Sequence, residues 1–314
     1  MQTTQNQAGS YLPNGAHLYT ALVYSHRSAG YLFRGQTTAA FLGLRLKGSE
    51  LLFVGRNAGY ISRTYFANAI SPHELLRRYT LFGFIHLALD EEEVIYEEER
   101  LILGMNKRFH LKVKAAKDVL SWCKHCADEE RESYGVTSWK TVHQLTSVRI
   151  CHIHGNPLLL RCNKCGIAPG DLRSFRLPGE VCLRCGRSDF EEDKIVVTDA
   201  YRTFVRDIAF AFENQENFYR DGAWFSLLSK FISAFPSRSD AEKTVVEYLC
   251  REWRVSSVEE VWGTLQISWP SCEGIFEKGR HSLSVRVLLH RVMRAILSSL
   301  LTDDSEPRAC QRVD

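Results

Sequence analysis

The sequence contains no long apolar run. Nowhere do about 18–20 consecutive residues have the composition of a membrane-spanning helix. The first fifteen residues, MQTTQNQAGSYLPNG, are polar and lack the charged start and apolar centre of a secretory signal. We therefore expect a cytoplasmic protein with no membrane partner, in a compartment that keeps thiols reduced.

Sequence motifs of several enzyme classes are also missing. The chain has no G-x-x-x-x-G-K-[ST], no H-E-x-x-H, no G-x-S-x-G and no deaminase pattern of H-x-E with P-C-x-x-C. Net charge is low as well, at +3 over 314 residues, so any surface for nucleic acid must be local. These absences predict a protein that is not an enzyme.

Cysteine, in contrast, is abundant, with ten residues in the chain. In a reducing compartment this number favours metal binding over disulfides. Cys162, Cys165, Cys182 and Cys185 form a C-x2-C-x16-C-x2-C pattern, and a Gly follows each pair. Two such turns can hold one ion in a closed tetrahedral shell, which is typical of a four-cysteine zinc ribbon.

A second ligand set precedes the first. Cys123 and Cys126 supply one pair, and Cys151 with His154 supplies another, which together make a shell of three cysteines and one histidine. His125 and His152 lie inside the two pairs and are alternative ligands, whereas we interpret His143 as a hydrogen-bonding core residue. The sequence therefore predicts two structural Zn²⁺ ions and leaves Cys250, Cys272 and Cys310 as unliganded thiols.

Helical periodicity lies on both sides of the cysteine-rich region. Amphipathic patterns over 17–32 and 61–89, with Ser71 as N-cap and Pro72 at the first helical position, predict an N-terminal helical part. Patterns over 196–235, 240–253, 257–265 and 283–301 predict a C-terminal one. Between them, helical period is lost, and we expect short hairpins around the metals, with PLLL (157–160) as a strand or apolar linker.

The predicted fold class is mainly α with small β, in which helical, helix-turn-helix-like N- and C-terminal parts flank two zinc ribbons. The expected organisation is a flexible tail (1–14), an N-terminal helical domain (15–118), a tandem zinc-ribbon region (119–193), a C-terminal helical domain with helix-turn-helix character (194–302) and a second tail (303–314). The acidic run DEEEVIYEEER (90–100) is interpreted as a solvated face or loop, with a contact for a basic partner as the alternative.

The cysteine-rich motifs resemble those of the TniQ/TnsD family of transposon targeting proteins. WCKHC (122–126) is similar to the family's YCPxC. WKTVHQLTSVRICHIHGNPLLLRCNKCG (139–166) follows its pattern W-x-x-x-H-Q-L-x-x-V-x-x-C-x-x-H-G-x-x-L and then C-x-x-C-G. Weaker similarities lie in RRYTLFGFI (77–85) and SWPSCEGIF (268–276). The resemblance spans roughly residues 15 to 300.

This resemblance implies a transposition adaptor, which links recognition of target DNA to the AAA+ ATPase TnsC. Family members either bind an attachment site themselves or ride on an RNA-guided CRISPR effector such as Cascade with its guide RNA, sometimes as a dimer, in the bacterial cytoplasm. Two other functions remain open. One is a zinc-ribbon or helix-turn-helix transcription regulator, and the other is a nuclease that holds an open metal through His143 or His152.

Two local basic surfaces are candidates for nucleic-acid contact. In the second ribbon these are Arg173, Arg176, Arg184 and Arg187, held on short loops that the metal makes rigid. In the C-terminal part they are Lys278, Arg280 and His281, which follow a helix-turn-helix pattern with Ser271 as a cap. On the last predicted helix, Arg286, His290 and Arg294 share a face that we interpret as the solvated side.

Overall fold

A computed structural model describes residues 12–30, 34–43, 55–105, 116–168, 175–214, 221–267, 276 and 282–303. Over these residues the chain is mostly helical, as the sequence predicts. The helices are α1 (Tyr19–Ala29), α2 (Arg34–Leu42), α3 (Ala58–Thr64), α4 (Pro72–Tyr79), α5 (Phe82–Ile85), α6 (Glu91–Ile102), α7 (Lys124–Tyr134), α8 (Asp199–Asn214), α9 (Asp221–Ser233), α10 (Arg238–Trp253), α11 (Val258–Leu265) and α12 (Leu283–Asp303). Short 3₁₀ turns follow α5 (His86–Ala88) and α7 (Val142–Gln144).

The helix starts follow local side-chain chemistry. Ser71 accepts a hydrogen bond from the Glu74 backbone N–H at 3.1 Å, and Pro72 occupies the first helical position, so the predicted cap is confirmed. Asp90 caps α6 in the same way, accepting from the Glu93 N–H at 2.7 Å. The acidic run is therefore a helix with a solvated face. The negative side chains in its first turn also interact favourably with the helix dipole.

Within the described part of the chain, the β-strands form one antiparallel pair, β1 (Leu159–Cys162) with β2 (Phe190–Glu192), in which Leu159 lies opposite Glu192. Trp122 extends the pairing, since it exchanges backbone hydrogen bonds with Leu159 at 3.2 and 2.8 Å. The predicted strand at 157–160 is thus found from Leu159 onward. Through this pairing, Trp122, which precedes Cys123, is joined to the strand that ends at Cys162.

Among the described residues, two large hydrophobic cores hold most of the buried side chains, and Ile85, Leu89 and Val94 form a small third cluster. One packs α1–α4 against the second cysteine cluster, and contains Leu22, Leu76, Cys162 and Cys182. The other packs α8–α12 against the first cluster; its members include Cys123, Cys126, Cys151 and the aromatic side chains of Phe204, Trp224 and Trp253. Helix α5 lies between them, with Phe82 in the first core and Phe84 in the second. Each metal-ligand set is therefore part of a core.

Three expectations need correction. Helix α7 (Lys124–Tyr134) lies within the cysteine-rich region, where the sequence indicated only hairpins; Cys123 precedes its first turn, and Gly135, directly after its last residue, takes a left-handed φ of 70°. Leu12, assigned to a flexible tail, is 4% exposed and joins the N-terminal core. Arg286, assigned to the solvated side of α12, is 1% exposed and lies 5.9 Å from the centre of the Trp224 ring.

Other expectations fall partly outside the described residues. The second helix of the C-terminal helix-turn-helix pattern belongs to this group, as do Ser271, Lys278, Arg280, His281, Cys272 and Cys310. The first helix of that pattern is present as α11, with a capping box formed by Ser257 and Glu260. Among the described helices, none combines the length and the apolar character needed to cross a membrane.

Candidate metal centres

The first ligand set converges as the spacing predicts. The Nδ1 atom of His154 lies 3.6 Å from the Cys123 sulfur, 3.4 Å from that of Cys126 and 3.5 Å from that of Cys151. The Cys126 and Cys151 sulfurs are 3.5 Å apart. In a tetrahedral zinc shell with Zn–S bonds of about 2.3 Å, neighbouring donors lie about 3.8 Å apart. The four donors fit a tetrahedral ion, and they favour His154 over His125 or His152.

A carboxylate orients the imidazole of this set. The His154 Nε2 atom faces Glu129 Oε1 at 2.9 Å, so Nε2–H donates to the carboxylate and leaves Nδ1 free as an acceptor for a metal. Burial alone would lower the pKa of His154, but the hydrogen bond to Glu129 and the nearby Cys123 raise it. Glu129 is on α7, one turn after Cys126, and no sequence pattern singles it out.

Three of the four ligand pairs share one backbone turn. In each, the N–H of the first cysteine donates to the carbonyl five residues on, and the N–H of the following Gly donates back to that cysteine's carbonyl; the pairs begin at Cys151, Cys162 and Cys182. The closing glycines have left-handed φ angles of 71°, 66° and 69° at Gly155, Gly166 and Gly186. This region of φ disfavours side chains with a Cβ, which accounts for the Gly after each pair.

The fourth pair is built differently. Cys123 precedes α7 in extended conformation and Cys126 lies in its first turn, so helical geometry brings the two sulfurs to one side. The ligand spacing is the same as in the other pairs, but the backbone that holds it is a helix.

The second ligand set also converges. The sulfurs of Cys162 and Cys185 are 3.5 Å apart and those of Cys165 and Cys182 are 3.4 Å apart, and all four lie within 4.8 Å of one another. Cys162 and Cys182 are buried, whereas Cys165 and Cys185 are half-buried. The inner two sulfurs belong to the N-terminal core, and the outer two face the protein surface.

The thiols of each set influence one another's ionisation. Hydrogen bonds from Cys126 and Cys151 lower the pKa of Cys123, while the contact with Cys123 raises the pKa of Cys126. In the second set, burial opposes ionisation of Cys182, but the backbone N–H groups of Cys185 and Arg184 lower its pKa to about 6. Three or four thiols this close together ionise fully only around a positive ion. The donor types and their separations are those of groups that could hold a metal ion.

A pair of histidines adjoins the first set. His143 and His152 pack at 5.6 Å between ring centres, and their nitrogens lie within 4.8 Å of each other and of the Cys151 sulfur. His143 is 1% exposed, and neither of its ring nitrogens has a hydrogen-bond partner among the described residues. The expected hydrogen-bonding role of His143 is therefore wrong. Burial lowers the pKa of His152 to about 4, with a further contribution from Lys140, so both rings stay neutral at pH 7.

The predicted nucleic-acid contacts separate into three groups. Arg184 and Arg187 are exposed beside the second ligand set. Arg176 is 1% exposed: its guanidinium donates to the Glu180 carbonyl and lies 5.4 Å from the centre of the Phe190 ring. This burial removes Arg176 from any DNA-facing surface. Arg173, Lys278, Arg280 and His281 lie outside the described residues.

One family model matches the chain. TniQ matches residues 66–158, a segment that runs from the end of α3 through α4–α7 and closes just after His154. The chain carries a TniQ domain. The resemblance to the TniQ/TnsD family is thereby confirmed over residues 66–158. No curated protein matches the chain.

The TniQ domain contains the whole first ligand set but none of the second. It also contains Trp139, which ties other parts of the chain to the domain. The Trp139 carbonyl accepts from the His17 N–H at 2.5 Å, and its indole N–H donates to the Arg176 carbonyl at 2.8 Å. The segment before α1 and the segment before β2 are thus both anchored on this one residue of the TniQ domain.

Proposed function

We propose that this chain is a non-enzymatic targeting adaptor that connects recognition of target DNA to recruitment of a TnsC-type AAA+ ATPase. The match of the TniQ domain to residues 66–158 carries this proposal. The protein would act in the bacterial cytoplasm. Target DNA would be reached either directly or through an RNA-guided complex such as Cascade, and the chain can act as a pair of identical copies.

The metal that we propose for both clusters is zinc. Donor sets of three cysteines with one histidine, or of four cysteines, at tetrahedral separations are typical of structural zinc, which takes soft thiolate ligands and prefers four-coordination. The ligands would be Cys123, Cys126, Cys151 and His154 for one ion, and Cys162, Cys165, Cys182 and Cys185 for the other. Four protein donors fill each shell and leave no position for a reacting water, so the ions would hold the fold.

The burial of His143 argues against the nuclease alternative. A catalytic metal needs an open coordination position that water and substrate can reach. His143 is 1% exposed, and the third donor of its group, Cys151, already belongs to the first ligand set. A metal held by His143 and His152 would therefore have no access to a DNA strand. No observation favours the transcription-regulator alternative.

Capture of the ATPase tests the adaptor proposal. The full chain, loaded with zinc, would be used to pull down purified TnsC from the same genetic locus, with metal-stripped chain as the comparison. We expect capture by the zinc-loaded chain, which should contain two zinc ions per chain by elemental analysis, and loss of capture after stripping. Binding to a specific duplex with no capture of the ATPase would favour the regulator, and fewer than two ions per folded chain would contradict the metal assignment.

The same experiment distinguishes the two routes to target DNA. Addition of labelled target duplex without any other protein tests direct binding, and addition of purified Cascade with guide RNA tests the guided route. A ternary complex that contains the ATPase is expected in one of these arms. Its absence from both would leave the chain without a targeting role.

A further inference from the structure

The second ligand set presents apolar side chains to solvent. Leu183 is 66% exposed and Val181 is 51% exposed, and both lie in the turn that carries Cys182 and Cys185. Leu183 is the residue directly after a buried ligand, since Cys182 is 1% exposed. The backbone turn that brings the sulfurs inward thus directs the side chain between them outward. Two apolar side chains of this turn are therefore available for contact with a partner.

Basic side chains surround this apolar tip. Lys164 lies in the middle of the facing turn, between Cys162 and Cys165, and Arg184 and Arg187 follow Leu183. All three are exposed, and within the part of the chain that the structure describes none has an ion-pair partner. Of the nearby acids, Glu180 pairs with Arg27 at 2.7 Å, whereas Asp189 accepts from the neutral Asn163 amide at 2.7 Å and keeps its charge. Three cations against this one carboxylate leave the tip with a net positive charge.

The tip is also held rigidly. The four converging sulfurs bring the two turns side by side. Each turn is closed by a backbone hydrogen bond, from the Cys162 N–H to the Ile167 carbonyl at 3.0 Å and from the Cys182 N–H to the Arg187 carbonyl at 2.6 Å. A metal ion would fix this arrangement further. Side chains on such a support lose little additional entropy when a ligand binds them.

We propose that this surface, defined by Lys164, Val181, Leu183, Arg184 and Arg187 and named here the ribbon tip, contacts double-stranded DNA. The basic side chains neutralise phosphates, and Leu183 makes an apolar contact in the minor groove between them. The proposal rests on the adaptor function proposed above and assigns its DNA contact to the second ligand set, outside the TniQ domain.

The chemistry of the ribbon tip favours DNA over an anionic membrane. Duplex DNA presents one phosphate per about 1.7 Å of axis, which suits three cations on two adjacent turns. Apolar wedges among basic residues are a common feature of minor-groove contacts. A membrane-binding surface, in comparison, needs a larger apolar area than two side chains offer.

Binding to a labelled duplex of about 30 base pairs tests the proposal, with the zinc-loaded full chain and fluorescence anisotropy between about 50 and 200 mM salt. We expect the double variant Arg184→Gln/Arg187→Gln to bind on the order of 10-fold more weakly, with the slope of log affinity against log salt shallower by about two. Leu183→Ser should weaken binding several-fold and leave the slope unchanged, because it removes an apolar contact and no charge.

Matched controls lie on other faces of the molecule. Arg78→Gln/Lys243→Gln removes the same charge from side chains that are 60% and 76% exposed, and Leu301→Ser changes a leucine that is 74% exposed. Both should bind DNA as the unmodified chain does, and every variant should retain its metal content.

Three results would overturn the proposal. These are no duplex binding by the unmodified chain, an equal loss in the tip and control variants, and tip-dependent binding to phosphatidylserine-containing vesicles while duplex binding is unchanged. Capture of the TnsC-type ATPase by the tip variants is measured in parallel. If they still capture it, a failure at the ribbon tip leaves the adaptor function standing, whereas loss of capture by the unmodified chain contradicts the adaptor function itself.

Discussion

At the scale of single residues, the two nitrogens of His154 have different roles. Nδ1 faces three sulfurs at 3.4–3.6 Å and Nε2 faces Glu129 at 2.9 Å. A carboxylate that accepts from the outer nitrogen fixes the tautomer in which the inner nitrogen has a free lone pair, and it makes that nitrogen a stronger donor. Glu129 is thus expected to strengthen metal binding without contacting the ion.

Replacement of Glu129 tests this role. Glu129→Gln keeps the shape of the side chain but removes its charge, so we expect the first site to bind zinc about 10–100-fold more weakly. Competition with a chromophoric chelator measures the affinity. Glu132→Gln, which alters an exposed carboxylate on the same helix, should have no effect. If both variants bind zinc as the unmodified chain does, Glu129 is only a surface residue.

The residue scale also separates what sequence can and cannot predict. Cysteine pairs at fixed spacing are informative, because two sulfurs two residues apart reach one ion in any suitable turn. Glu129 carries no such signal, since its role depends on α7, which places it one turn beyond Cys126. Arg176 misleads in the opposite direction. Its charge suggests a surface position, but the planar guanidinium packs on Phe190 and donates to a backbone carbonyl in the interior.

At the scale of elements, a buried carboxylate joins two helices of the TniQ domain. Glu98 on α6 is 3% exposed and accepts from Arg77 Nε on α4 at 2.5 Å, and it also contacts His73 Nδ1 at 2.9 Å. Burial alone would raise the pKa of Glu98, but the hydrogen bonds from Arg77 and His73 outweigh it and lower the pKa. The ionised carboxylate therefore stabilises the folded state.

The pH dependence of stability follows from that direction. Because the pKa of Glu98 is lower in the folded chain than in the unfolded chain, its contribution is fully present above the unfolded value of about 4.3. It is lost as the pH falls through the folded value. We expect Glu98→Gln to lower the free energy of unfolding by about 1–3 kcal/mol at pH 7, and by less below about pH 4.

Urea unfolding of the unmodified chain and of the Glu98→Gln variant at each pH measures this difference. Any loss of metal in acid affects both proteins, so it largely cancels in the comparison. Glu74→Gln is the control, because Glu74 is 40% exposed and pairs with Arg78 only at 3.6 Å on the surface of α4. It should change the free energy of unfolding by less than about 0.5 kcal/mol at either pH. A Glu98→Gln effect that does not shrink in acid would show that the side chain acts through packing alone.

Helix α7 illustrates why elements near metal sites are difficult to predict. Its sequence contains ordinary helix signals, including a run of acidic residues and a closing Gly135 in left-handed conformation. The cysteine pair at its start indicated a hairpin instead, because the same spacing fits both a tight turn and the first turn of a helix. The amphipathic pattern over 283–301 indicated a helix without such a conflict, and α12 begins at Leu283.

At the scale of the whole molecule, the two ligand sets pack with helices from opposite ends of the chain. The first set, between α6 and β1 in sequence, packs with the C-terminal helices, and the second packs with the N-terminal ones. The sequence predicts two metal sites in a central region, but spacing carries no information on which core each would join. That choice depends on contacts between residues far apart in the chain, such as Tyr201, whose hydroxyl donates to the Ser147 carbonyl at 2.8 Å.

Loss of one metal should therefore loosen one end of the molecule. Cys162→Ser/Cys182→Ser should leave one zinc per chain and increase amide hydrogen exchange in α1–α4, with little change in α8, α10 and α12. Cys123→Ser/Cys151→Ser should have the opposite effect, because it removes buried thiolate ligands from the core that α8–α12 share. Cys250→Ser, which alters a half-buried thiol outside both ligand sets, is the matched control and should retain two ions. Exchange that rises evenly along the chain in both double variants would mean that the two cores unfold together, and that each metal stabilises the whole molecule.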